Sequence, residues 1–205
     1  QAGKQRDLKF GTDMVIGTRS GQPEVKVENS ELVFVGYGVD APEQKWNDYA
    51  GQDWKGKTVV MFVNDPGFHA KDETLFGGNR MTYYGRWTYK FEEAARKGAA
   101  AALIVHDTAG ASYGWDVVKN SWAGPQYDLP AKDDPAPRVP AQGWITGEAA
   151  TALFKAAGQD LGKYGLQWSH LGRRPAGELE AVQAQAAALR DRLAAGSRPQ
   201  HSNGG

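Results

Sequence analysis

The sequence predicts a mixed α/β domain, and three observations carry the prediction. Two apolar runs, Thr58-Val59-Val60-Met61-Phe62-Val63 and Ala99 to Val105, have the length and composition of strands covered on both faces. Between them, Tyr84 to Lys97 carries Trp87, Phe91, Ala94 and Ala95 at the i, i+4, i+7 and i+8 spacing of one helical face, which places Glu92 and Glu93 on the solvent side. Strand, helix and strand in that order make a βαβ-like unit.

The remaining elements are read in chain order. Asp13 to Gly17 and Pro23 to Glu28 are short extended segments with Arg19-Ser20-Gly21-Gln22 as turn chemistry between them, which suggests a hairpin or a linking strand. Glu31 to Gly38 is a β-branched and aromatic strand closed by glycines. Ala41 to Trp54 is polar loop, and Asn64-Asp65-Pro66-Gly67 is a turn that ends the first apolar strand. Gly98 stops the central helix. Thr108 to Pro137, rich in Gly, Pro and aromatics, reads as a structured loop or lid without an element of its own. Arg138 to Ile145 is extended, and Thr146 caps a helix from Gly147 to Ala157 that Gly158 ends. Beyond Gly165 the composition changes. Glu178 to Ala195 has Leu179, Val182, Ala186, Leu189 and Leu193 spaced 3, 4, 3 and 4 apart, an amphipathic helix of two heptads that is too short to dimerise stably. The resulting division is a tail over 1–9, one domain over 10–166, a linker over 167–177, the amphipathic helix over 178–195, and a disordered tail over 196–205.

Composition excludes several functions. A chain of 205 residues with 40% hydrophobic content buries one sizeable core. Its 24 basic and 24 acidic side chains cancel, so no field steers a polyanion and nucleic acid is not an expected partner. No apolar run approaches the roughly 20 residues a membrane span needs, and Gln1 to Phe10 lacks the apolar core of a signal peptide, so the expectation is a soluble chain. Absence of cysteine removes disulfides, thiolate zinc ligands and cysteine nucleophiles together. Seven Trp and eight Tyr exceed what such a core needs, which places some of them at a contact surface.

Several segments, in order, carry a resemblance. Leu32-Val33-Phe34-Val35-Gly36-Tyr37-Gly38, Trp46-Asn47-Asp48-Tyr49, Gly56-Lys57-Thr58-Val59-Val60, Asn64-Asp65-Pro66-Gly67, Tyr83-Tyr84-Gly85-Arg86-Trp87 and Glu93 to Ala99 together resemble the protease-associated domain of bacterial zinc aminopeptidases related to glutamate carboxypeptidase II and the transferrin receptor. The resemblance covers about Phe10 to Leu166. It implies a small β-sheet or open barrel flanked by helices, lying over the cleft of a peptidase domain that would be its partner and would hold the zinc, with a peptide as substrate and a periplasmic or secreted setting. The peptidase ligand set, a His-x-Asp motif, a bridging Asp followed by Asn-Gly, a Glu-Glu pair and a late His, is not assembled in this sequence. Glu92-Glu93 is a surface pair on a helix, where adjacent residues diverge by about 100°. His69, His106, His170 and His201 are scattered, so the expectation is a chain without catalytic residues, metal or cofactor of its own.

Other residues have their own alternatives. His106-Asp107 is a structural pair unless a nucleophile accompanies it. Asp133-Asp134 lacks the spacing of a calcium loop and reads as turn chemistry. Gly36-Tyr37-Gly38 lacks the third glycine and helix start of a nucleotide loop, and fits a bulge or a close backbone approach. The aromatic stretch Ser112 to Trp122 could face another protein domain, or it could stack on sugars in a free-standing peptide- or carbohydrate-binding module.

The contact residues expected are Tyr83, Tyr84, Arg86, Trp87, Trp115 and Asn120. The first four sit at the start of the central helix, where free N–H groups and the helix dipole favour an anion, and Arg86 adds a bidentate fork for a carboxylate. By the resemblance, Arg86 and Asn120 meet substrate while Tyr84, Trp87 and Trp115 form a dry contact with the peptidase domain. The plainer reading keeps Trp87 in the core and Arg86 as a solvated charge.

Overall fold

The computed structural model describes residues 6–163. The linker, the amphipathic helix and the tail expected after residue 166 lie outside the described residues. Five strands form one open sheet, in the order β1 (Met14–Gly17), β7 (Ala141–Ile145), β6 (Ala101–Val105), β5 (Thr58–Phe62) and β2 (Leu32–Phe34). The last four run parallel, and β1 is antiparallel to β7. Two-residue strands β3 (Asp40–Ala41) and β4 (Trp46–Asn47) pair beside it. The sheet does not close, so the barrel alternative is set aside in favour of an open sheet covered on both faces.

Alternation along the parallel strands explains their unbroken apolar sequences. Phe34, Val60, Phe62, Leu103, Val105 and Ile145 share one cluster with α5 (Gly147–Ala156), where Phe34 meets Phe62 and Phe154 edge-on at 5.1 and 5.2 Å. Val59, Met61, Ala102, Ile104 and Trp144 belong to a second cluster with α2 (Trp87–Arg96) and α4 (Trp115–Trp122). Strands that step in one direction through right-handed crossovers place their helices on the same face, which is where α2 and α4 lie. Thr146 caps α5 by accepting from the Ala149 N–H at 3.1 Å.

Several local expectations need correction. Pro23 to Glu28 forms no strand, and β1 finds its partner in β7 rather than in a hairpin. Residues 31–38 are strand only over Leu32–Phe34, because Gly36 and Gly38 turn the backbone to positive φ. A Cβ on Gly38 would lie 2.6 Å from the Met61 sulfur, so the close-approach reading of that glycine describes its surroundings. Asn64 to Gly67 leads into α1 (Pro66–Ala70). The central helix begins at Trp87, after a 3₁₀ turn over Tyr83–Gly85. Residues 108–137 include α3 (Thr108–Ala111) and α4, because Asp107 accepts from the Ala109 and Gly110 N–H groups and starts a helix that the Gly and Pro content concealed.

Candidate functional site

Three of the quoted segments converge on one buried centre around Lys90. Asp48, from the Trp46 to Tyr49 segment, accepts from the Tyr37 and Val39 N–H groups at 3.0 and 3.1 Å. Lys90, on α2, is fully buried and donates to the Tyr37 carbonyl. Asp65, also fully buried, accepts from the Thr82 N–H and hydroxyl at 2.9 Å each. Burial pushes the Lys90 ammonium down to about 7, against the opposing pull of the Asp48 and Asp65 carboxylates. It raises Asp65 as well, with the Thr82 bonds opposing. Packing around Lys90 thus locks the Gly36-to-Gly38 turn, the β4 loop and the start of α1 onto one helix.

Glu93 is a second buried charge, and here the solvent-side expectation fails. It is 6% exposed, bonded by Arg96 at 2.7 Å and Lys97 at 3.2 Å, and Lys97 also reaches Asp40 at 2.7 Å. The buried face of α2 includes Tyr89 and Lys90 as well as Phe91 and Ala94, so it is wider than the spacing of purely apolar residues indicates.

His106 and Asp107 do not act on each other. His106 Nε2 lies 3.0 Å from the Tyr113 carbonyl, while the Asp107 carboxylate lies 3.2 Å from His69 Nε2 and caps α3. Asp134 sits in a turn, accepting from the Ala136 N–H. Among the described residues, no three His, Asp or Glu side chains come together to hold a metal ion.

The six expected contact residues separate into two groups. Tyr84 donates to Glu43 at 2.7 Å and packs on Phe76 and Tyr89; the bond to Glu43 and burial push its hydroxyl up to about 12. Trp115 donates its indole N–H to the Gly11 carbonyl at 2.9 Å and lies edge-on to His106. These two are half-buried and held by partners within the domain. Tyr83, Arg86, Trp87 and Asn120 are exposed, with Tyr83 donating to Glu92 at 3.2 Å. Trp87 stands 38% exposed beside Phe91, so it is neither plain core nor free surface.

Trp87 instead forms part of a groove of about 560 Å³ that neither Arg86 nor Asn120 lines. Trp87 and the Val117 to Trp122 side of α4 wall it, and Gly17, Gln142 and Trp144 of the sheet form its floor. Trp122 packs 3.4 Å from where a Gly17 Cβ would stand, so the missing side chain seats the indole. Arg19, held by Asp128 at 2.9 Å, closes one end. Sequence reasoning passed over Arg19, Lys90 and Gln142. Gln142 in an otherwise apolar strand was a signal that could have been used.

No protein-family model matches this chain, and no curated protein matches it. Among solved structures, an aminopeptidase from Aneurinibacillus sp. strain AM-1 is similar at 23% identity with a TM-score of 0.32, over 64% of this chain. The chain spans 22% of that aminopeptidase's length, and a likeness this distant carries nothing about chemistry. No helix among the described residues is long and apolar enough to cross a membrane.

Proposed function

We propose that this chain is a non-catalytic recognition module of the protease-associated type, serving a zinc aminopeptidase domain by shaping access of peptide substrates. One observation supports this reading best. Tyr37, Asp48 and Asp65, from three of the family-like segments scattered along the sequence, meet around the buried Lys90 of the central helix, where they hold loops to that helix. Motifs used in that way define a scaffold, while the exposed Tyr83, Arg86, Trp87 and Asn120 remain for contact with partner or substrate.

Two measurements test the proposal. The isolated chain is expected to show no zinc-dependent hydrolysis of aminoacyl nitroanilides; such activity, lost with Glu93→Gln, would overturn it. In a protein reconstituted with its peptidase domain, Arg86→Ala is expected to raise KM several-fold with little change in Tm. A lowered Tm with unchanged kinetics would make Arg86 structural.

A further inference from the structure

The floor of the groove holds a polar group that the fold itself does not use. Gln142 is 4% exposed, yet its side-chain amide makes no hydrogen bond to any described residue, although it lines the groove and the smaller hollow beside it. That amide is not among the fully buried, unpartnered polar atoms of the described residues, so it opens onto the groove and is left to water or to a ligand there. It offers two donors and one acceptor, the complement of another amide.

A second open set of backbone groups borders the same groove. In the β1–β7 ladder the Thr146 N–H bonds to the Asp13 carbonyl, so Asp13, Val15 and Gly17 face β7, and Ile16 turns its N–H and C=O outward. No bond to a described residue takes these groups up, and Thr18, next along that edge, has its backbone open as well. Ile16 and Thr18 both line the groove. Earlier on the edge, Phe10 bridges Met14 and closes it, so the opening is confined to the part beside the groove.

The charges there are already matched, Arg19 by Asp128 and Arg138 by Asp134 at 3.5 Å, so the groove offers a charged ligand no free counter-ion on these arginines. Its volume falls within the range of ligand pockets, and two indoles wall it. We propose that the groove binds an extended, uncharged peptide segment, which adds to the outer edge of β1 at Ile16 and Thr18 and lays one large apolar side chain between Trp87 and Trp122 above Gln142. Open strand backbone is what distinguishes a peptide from a sugar here, because a sugar uses indole faces and amides but has no use for a strand edge. The proposal goes beyond the peptidase reading and does not depend on it.

Blocked pentapeptides of threonine and valine, with phenylalanine, leucine, alanine, lysine or glutamate at the centre, are titrated into the full chain by calorimetry, with indole N–H resonances followed by NMR. The phenylalanine and leucine peptides are expected to bind saturably below about 1 mM, with the alanine, lysine and glutamate forms at least about tenfold weaker. N-methylating alternate backbone amides of the best peptide should abolish binding in one register and spare it in the other, as strand addition requires. Gln142→Leu and Trp122→Ala should each weaken binding about tenfold. Ile16→Pro removes an outward N–H at an edge position where proline is tolerated and should do the same, with amide protection along β7 checking that the β1–β7 ladder stays intact. Should one variant fail to fold, the N-methyl series on the unaltered chain decides. The proposal is overturned if no peptide in the set saturates, if both N-methyl registers bind equally, or if cellotriose or chitotriose displaces the peptide's indole shifts while the peptide itself binds no tighter than they do.

Discussion

Two regions of this molecule bury polar side chains, and they differ in what surrounds them. Around Lys90, the amine, Asp48, Asp65 and several backbone groups are bonded or paired within the fold, with one Asp65 oxygen buried and unpartnered. Gln142, a residue largely covered, instead presents an unbonded amide to a groove lined by indoles. The first region offsets most of its desolvation within the fold, and the second leaves its amide to water or to a ligand in the groove. Polar groups of the first kind hold a shape; those of the second kind mark where a shape is used.

The comparison breaks most sharply at Asp48. Asp48→Ala removes the acceptor of two backbone N–H groups and a counter-charge of Lys90, and should cost about 4 kcal/mol in urea unfolding. A loss under about 1 kcal/mol would mean the centre is not a keystone. Gly143→Ala comes next. Its Cβ would stand 2.0 Å from the Val15 carbonyl oxygen, so β1 must shift, with an expected cost of about 2–3 kcal/mol and selective loss of amide protection along β1.

The pH dependence of Lys90 gives a smaller and more specific signal. Its folded pKa lies below the unfolded value of 10.5, so from about pH 7 upward the unfolded chain holds a proton that the native chain has released. Stability should therefore rise by about 1 kcal/mol between pH 7 and pH 8 and level off once the unfolded lysine also titrates. Lys90→Met should remove that rise. Persistence of the rise in the variant would assign it to another group. The smallest effect is expected at Gln142. Because its amide has no partner to lose, Gln142→Leu should leave unfolding free energy within about 0.5 kcal/mol or increase it, in contrast to Asp48→Ala. A loss above about 2 kcal/mol would show that the amide is satisfied within the fold.

Much of the layered architecture was legible in the sequence because it depends on local pattern. Thr58 to Val63 and Ala99 to Val105 read as strands covered on both sides and contain β5 and β6, and Thr146 and Gly158 bracketed their helix by capping chemistry. What escaped depends on distant pairing. Nothing near Met14 announces β7 as its partner, and nothing in the spacing of α2 tells that Lys90 and Glu93 turn inward, since their burial is allowed only by Asp48, Asp65, Arg96 and Lys97 arriving from elsewhere or from the next turn. The contact residues were legible as a patch of aromatics, but their division between half-buried and exposed was set by Glu43 and Gly11, far away in sequence from Tyr84 and Trp115, and by Phe76 in the loop just before.

The pairing of β1 with β7 also has a kinetic consequence. Val15 and Trp144 face each other from nearly opposite ends of the described chain, so their ladder must close the longest loop of any strand pair, whereas β5 and β6 meet through the much shorter connection that carries α1 and α2. Closure entropy places such a contact late in folding and makes it among the first to open. The edge that borders the groove is thus the last piece assembled, and a strand laid along it would act as a latch, slowing the release of β1 while leaving the interior of the sheet unaffected.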